Sequence, residues 1–312
     1  MRTDKKPNAA RLNVLVYGAT GSQAGAVPTY LLRAGHQPYV LTRTADKAAH
    51  HAQAGAIVVE GDMKDAARLR QLSEGMDAVS LLIPFFADPA QVADYGRQAI
   101  DAAKAAGVKL LVWNTSGAIL PVRTGNPSID VRIEIRDYLQ QSGLPHIILQ
   151  PSVYLENLLG PWTTPFVVNE NRVAYPAPSD MAISWIASSD VSALVVAALQ
   201  RPDLSGANWP ISGLENPDGL ALSRAFSKGL GRPITYYAMP PQDFGSILDK
   251  LFGPGAGAAA ANEYQQMWDF PEQRPNFQAD MEPVLSKLPV QMTTISEWVT
   301  HHEAVFASSL HT

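Results

Sequence analysis

A chain of 312 residues with a net charge of −5 and 46% apolar residues is long enough for one large α/β domain or two smaller ones. It is too apolar for a disordered polar chain, and its acidic balance argues against a nucleic-acid surface built on general basicity. Cysteine is absent, which removes disulfides, thiolate nucleophiles and cysteine-metal sites together and fits a reducing, cytoplasmic setting. Residues 1–11 are polar and basic and read as a flexible tail without the apolar core of a signal peptide. No apolar run of about 18 residues follows, so no membrane span is expected.

Residues 12–17 form an apolar run that predicts the first strand. It breaks at Gly18-Ala19-Thr20-Gly21-Ser22-Gln23-Ala24-Gly25, and residues 22–34 then read as a helix closed by Gly35. Strand, glycine-rich turn and helix in that order are what a dinucleotide-binding βα unit requires. Gly18 permits the tight turn, Gly21 lets the backbone come close to a pyrophosphate, and Ala24 lets the helix lie against the strand. Gly18, Thr20, Gly21, Ser22, Gln23 and Ala24 are therefore the candidate pyrophosphate contacts.

Residues 38–42 predict a second strand ending at Arg43. An acidic residue there would hydrogen-bond a ribose 2′-hydroxyl, whereas a guanidinium pairs with a 2′-phosphate, so Arg43 favours NADP over NAD; its alternative is a solvated strand-end charge. Residues 46–54 are helix-compatible, and 56–59 form another strand. In the turn that follows, Asp62 is read either as an acceptor for the adenine amino group, with Met63 packed on the base, or as a helix N-cap. Residues 77–83 suit a strand buried on both faces and stop at Pro84. Pro84, Phe85 and Phe86 then fall at the strand's carboxyl end, where open parallel sheets bind ligands, or belong to the core.

Residues 89–106 predict a long helix, 109–113 a strand, 129–141 a helix and 146–150 a further strand. Alternation sustained over about 140 residues predicts a doubly wound α/β fold with a parallel sheet. Ser116 ends one of these strands, as a hydroxyl for substrate or as a turn former. From Pro151 the texture changes to recurrent prolines and irregular aromatics, and a smaller α+β region is expected. Residues 183–200 read as a strand and a helix, part of which packs back on the sheet. Helices are expected over 220–230, 241–251 and 295–306, the last with Trp298 buried, and residues 253–261 read as a mobile loop or hinge.

In Tyr154 a phenol follows the last core strand, as a proton donor or as a packed aromatic. Trp162, Trp268, Phe270 and Phe277 either line a hydrophobic pocket or pack in the core. The pairs His50-His51 and His301-His302 lack carboxylate or cysteine partners at ligand spacing, so no metal is expected. No Gly-x-Ser-x-Gly elbow occurs, which disfavours a serine hydrolase.

In order along the chain, the glycine-rich turn, Arg43, Gly61-Asp62, Gln141-Ser142-Gly143-Leu144-Pro145 and Pro151-Ser152-Val153-Tyr154-Leu155-Glu156-Asn157-Leu158 are similar to the landmarks of the NmrA-like group of atypical short-chain dehydrogenases/reductases. Ile186-Ala187-Ser188-Ser189-Asp190-Val191 and Ile295-Ser296-Glu297-Trp298 extend the resemblance over residues 12–306. It implies a Rossmann domain over 12–153, bound NADP or NAD, and a smaller substrate-binding region over 154–312. The implied function is reduction of a small quinone-like, aromatic or conjugated carbonyl compound, with a non-catalytic NADP(H) sensor of a partner protein as the alternative. The chain departs from ordinary short-chain dehydrogenases by lacking Tyr-x-x-x-Lys, since Tyr138 is followed four places on by Ser142 and Tyr154 by Leu158. Arg132 stands where several members of the group carry lysine. Its charge is expected beside the cofactor, and because it stays protonated it is no proton carrier.

Overall fold

The structure is a computed structural model describing residues 11–85 and 88–307, so Phe86 and all but the last residue of the predicted tail lie outside the described residues. The chain splits into two compact units. One comprises the residues up to Pro151 together with Ser188–Pro210 and Val284–Val290, and the other Ser152–Ala187, Ile211–Pro283 and the residues from Gln291.

The first unit alternates β1 (Asn13–Val16), α1 (Val27–Arg33), β2 (Gln37–Thr42), α2 (Ala49–Gln53), β3 (Ile57–Glu60), α3 (Ala66–Ser73), β4 (Ala78–Leu82), α4 (Pro89–Ala105), β5 (Leu110–Asn114), α5 (Pro127–Ser142) and β6 (His146–Pro151). Its seven-stranded sheet has the order β3-β2-β1-β4-β5-β6 followed by Asn208–Ile211. The pairs from β3 to β6 are all parallel. Every residue of β4 and β5 is buried, as expected of strands covered on both faces. Alternation then divides the work: Leu15, Tyr17, Val79, Leu81, Leu111 and Trp113 join the core under α3, α4 and α5. Helix Ser188–Leu199 packs on α1, β4 and β5. Strand order reverses between β1 and β4, and it is outside the carboxyl ends of the strands at such a switch point that open α/β sheets bind ligands.

Helix boundaries follow local chemistry. Asp88 caps α4 by accepting the Ala90 N–H at 3.0 Å, Asn126 caps α5 by accepting that of Ser128 at 3.0 Å, and Gly143 closes α5 in the left-handed conformation. One expected boundary is corrected. Residues 21–26 are turns and α1 starts at Val27 rather than Ser22. The reason is Pro28, which cannot donate to the Ala24 carbonyl and belongs in a first helical turn.

The second unit contains a parallel strand pair, Arg172–Tyr175 with Thr235–Ala238. Its core gathers Leu155, Leu158, Trp185, Phe226, Trp298 and Phe306. Residues 183–187 form no strand; their pairing is limited to a parallel bridge between Ile186 and Tyr154 and single hydrogen bonds such as the Ile183 N–H to the Pro217 carbonyl at 3.0 Å. The expected loop over 253–261 is partly helical, because the alanines from Ala258 open helix Ala258–Asp269. The last helix is broken into Ile295–His301 and Glu303–Phe306; Thr294 and Glu297 cap the first piece reciprocally and Trp298 is buried. Among the described residues, no helix is long and apolar enough to cross a membrane.

Candidate functional site

Gly18 leaves β1 with φ +76, and a β-carbon there would stand 2.9 Å from Leu82 of β4. Both the left-handed backbone and the neighbouring strand therefore demand glycine. The turn closes through the Gly21 N–H on the Gly18 carbonyl at 3.0 Å. At Gly21 itself an added β-carbon would meet only the Gly18 carbonyl, at 3.5 Å, whereas at Gly25 it would lie 2.8 Å from the Gly21 carbonyl. So Gly25 is the glycine the turn needs for its own packing, and Gly21 leaves the outer side of the turn clear. Thr20, Gly21 and Ser22 are exposed, Gln23 is half-buried and Ala24 is buried.

The turn is supported from below by a residue that the sequence reading weighed only as a metal ligand. His51 is 2% exposed and its Nε2 donates to the Ala19 carbonyl at 2.9 Å. Burial, more than the opposing hydrogen bond, holds its pKa below the ordinary histidine value, with His50 adding to the depression.

At the carboxyl end of β5 the predicted residues meet. Ser116 has φ +57, uncommon for a residue with a side chain. Its N–H is held by the Asn114 Oδ1 at 3.0 Å, and its hydroxyl donates to the Gln23 Oε1 at 2.6 Å, tying β5 to the glycine-rich turn. Arg132, on α5, donates from Nε to the Thr115 carbonyl at 3.0 Å and lays its guanidinium 4.0 Å over the Phe85 ring. The loop between β5 and α5 is fixed by Asp130. Its carboxylate accepts the N–H groups of Thr124 at 2.8 Å and Gly125 at 2.9 Å, which, the Thr124 N–H first, hold its pKa below the usual range. Pro84 is exposed beside this cluster in sequence.

At the carboxyl end of β2, Arg43 is exposed. Asp62 accepts the Lys64 N–H at 3.0 Å in a local turn and is not the cap of α3; that role falls to Asp65, which accepts the Arg68 N–H at 2.9 Å. The spacing to the first helical residue decides between them, because a cap must immediately precede the helix. Met63 is half-buried against the sheet core.

Tyr154 belongs to the second unit and is 4% exposed. Of the aromatic candidates there, Trp162 and Phe277 pack against the core, Trp268 donates to the Pro176 carbonyl at 2.7 Å, and Phe270 is exposed. Tyr138 gives its hydroxyl to Asp101 at 2.8 Å.

The NmrA-like family model matches residues 11–299. The chain belongs to that family. Among its relatives this NmrA-like chain is 28% identical over 307 residues to an NAD(P)H azoreductase of Xenophilus azovorans, covering 95% of this chain and 100% of that protein. The structure of the Escherichia coli NADPH-dependent quinone oxidoreductase QOR2 complexed with NADPH is similar at a TM-score of 0.75 and 24% identity, covering 93% of this chain and 99% of that one. NmrA, a negative transcriptional regulator solved in complex with NAD, is similar at a TM-score of 0.76 and 16% identity, with 95% and 96% covered.

Proposed function

We propose that this chain is an NADPH-dependent reductase of small quinone-like, aromatic or conjugated carbonyl compounds. The observation that carries the reading is the open outer side of Gly21 in a turn tied to Ser116. A pyrophosphate is received where a β-carbon would otherwise stand, by Gly18, Thr20, Gly21, Ser22, Gln23 and Ala24. Arg43 pairs with the 2′-phosphate, Asp62 and Met63 receive the adenine, and Pro84, Phe85 and Arg132 border the nicotinamide end. When bound, the nicotinamide supplies a hydride. The relatives named as azoreductase and quinone oxidoreductase support this class of reaction.

The side chains have distinct parts. Arg132 is a fixed charge, since its ring stack and its hydrogen bond hold the guanidinium and it stays protonated. Ser116 donates its one proton to a side-chain amide, which cannot take it up; turned from Gln23 to a substrate oxygen, the hydroxyl would orient that oxygen without serving as the acid. Tyr154 or water then delivers the proton. A cysteine-free chain working with NADPH suits the cytoplasm.

Loss of NADPH absorbance on mixing with a panel of quinones, enones and azo compounds is the test. Substrate-dependent oxidation is expected. Tyr154→Phe should lower turnover about 10²- to 10⁴-fold with NADPH affinity unchanged, whereas water as the donor leaves that variant active. A second reading, a regulator that senses the dinucleotide, is favoured by the likeness to NmrA and by the missing Tyr-x-x-x-Lys. NADPH binding without oxidation of the panel, together with NADP-dependent association with a partner protein, would establish it instead.

A further inference from the structure

Opposite charges stand side by side at the carboxyl ends of β2 and β3. Thr42 and Glu60 are register partners, and Arg43 follows Thr42 directly. Glu60 Oε1 accepts the Ala45 N–H at 3.1 Å, so its carboxylate reaches across to the loop that carries Arg43. The same loop is held on the strand side by Thr42, whose hydroxyl donates to the Thr44 carbonyl at 3.0 Å and accepts the Thr44 N–H at 3.2 Å. Arg68 is committed elsewhere in the neighbourhood: its Nε donates to the Glu60 carbonyl at 2.9 Å and its Nη1 to Gln71 at 3.3 Å. Asp46 and Lys47 follow, both exposed and of opposite sign.

In this fold the adenosine ribose lies beyond the end of the second strand. A 2′-phosphate there gains a charge-assisted pair from Arg43 but brings its negative charge towards the Glu60 carboxylate. A free 2′-hydroxyl does the reverse, offering a proton that a carboxylate accepts. We propose that Glu60 is a specificity-determining residue at the ribose, opposing Arg43, so that the preference for NADPH over NADH is narrowed by a few-fold. The inference rests on the dinucleotide reading above. Glu60 is exposed, so its influence is screened over about 8 Å at physiological salt and is worth a few-fold in affinity.

The test is a titration of the full-length protein with NADPH and with NADH, followed by quenching of tryptophan fluorescence at low and at high salt. Glu60→Gln keeps an oxygen for the Ala45 N–H and removes only the charge. It should shift selectivity towards NADPH by roughly two- to five-fold, with the gain shrinking as salt rises. Glu60→Ala, which also removes the acceptor, should shift selectivity the same way while weakening both cofactors somewhat. Unchanged selectivity in Glu60→Gln with both cofactors still bound overturns the role of Glu60 and leaves the dinucleotide site standing. Equal weakening of both cofactors in Glu60→Gln overturns it too, because the residue would then serve only the loop. Failure of the wild-type protein to bind either dinucleotide overturns the site and the inference together.

Discussion

At Gly21 an added β-carbon makes an ordinary contact with the Gly18 carbonyl at 3.5 Å, and at Gly25 it meets a backbone carbonyl 2.8 Å away. Gly21→Val is therefore expected to keep the thermal midpoint of the wild type and lose NADPH affinity, and Gly25→Ala to lower the midpoint, since crowding of a packed site costs about 1–3 kcal/mol. Calorimetric titration beside thermal unfolding of both variants separates the effects. Wild-type NADPH affinity in a folded Gly21→Val protein would sink the assignment of this turn. On the proposed reading, Arg43 acts through a charge-assisted hydrogen bond to the 2′-phosphate. A hydrogen bond to a charged group is worth about 1.5–3 kcal/mol, so Arg43→Ala should weaken NADP by roughly 10- to 100-fold and spare NAD. Equal losses for both would make Arg43 a support of the loop.

Helix α2 acts on the turn through one side chain. His51 is buried beneath Ala19 with a pKa held below its unfolded value of 6.5. Between the folded and unfolded pKa values the unfolded chain binds more protons, so stability rises with pH across that window. The contribution is complete above about pH 6.5 and is lost as pH falls towards the folded pKa. The thermal midpoint should drop on going from pH 7.5 to pH 5.5, and the drop should be smaller in His51→Gln, which has no proton to gain. An identical pH profile in that variant would show that His51 does not govern the acid side. Helix α5 is anchored in a similar way by Asp130, two residues before Arg132. Asp130→Ala should raise amide exchange across residues 117–126 and lower turnover, while Asp130→Asn, which keeps one acceptor, should recover part of both.

For the whole molecule, a ligand that binds only the folded chain adds stability by mass action, about 2.7 kcal/mol at a hundred times its Kd. Saturating NADPH should therefore raise the unfolding midpoint of the wild type and leave that of Gly21→Val unmoved. A rise of equal size in both would place the dinucleotide elsewhere.

What the sequence determined by itself follows from local rules. Buried apolar runs alternating with capped helices specify a parallel sheet, since parallel strands need covering on both faces and a crossover between them. The turn Gly18–Gly25 was legible for the same reason, because glycine spacing after a strand reports a backbone conformation. Where several short signals competed, the sequence misled: the start of α1 hung on Pro28, the cap of α3 on Asp65, and the helix from Ala258 on alanine outweighing nearby glycine. Only the tertiary structure decided which side chains meet. Gln23 and Ser116 are 93 residues apart, and His51 and Ala19 are 32 apart, yet each pair is joined by one hydrogen bond. Such partnerships depend on the order of strands in the sheet, which sets the carboxyl ends of β1 and β5 on either side of β4. No local pattern in a single chain records that order.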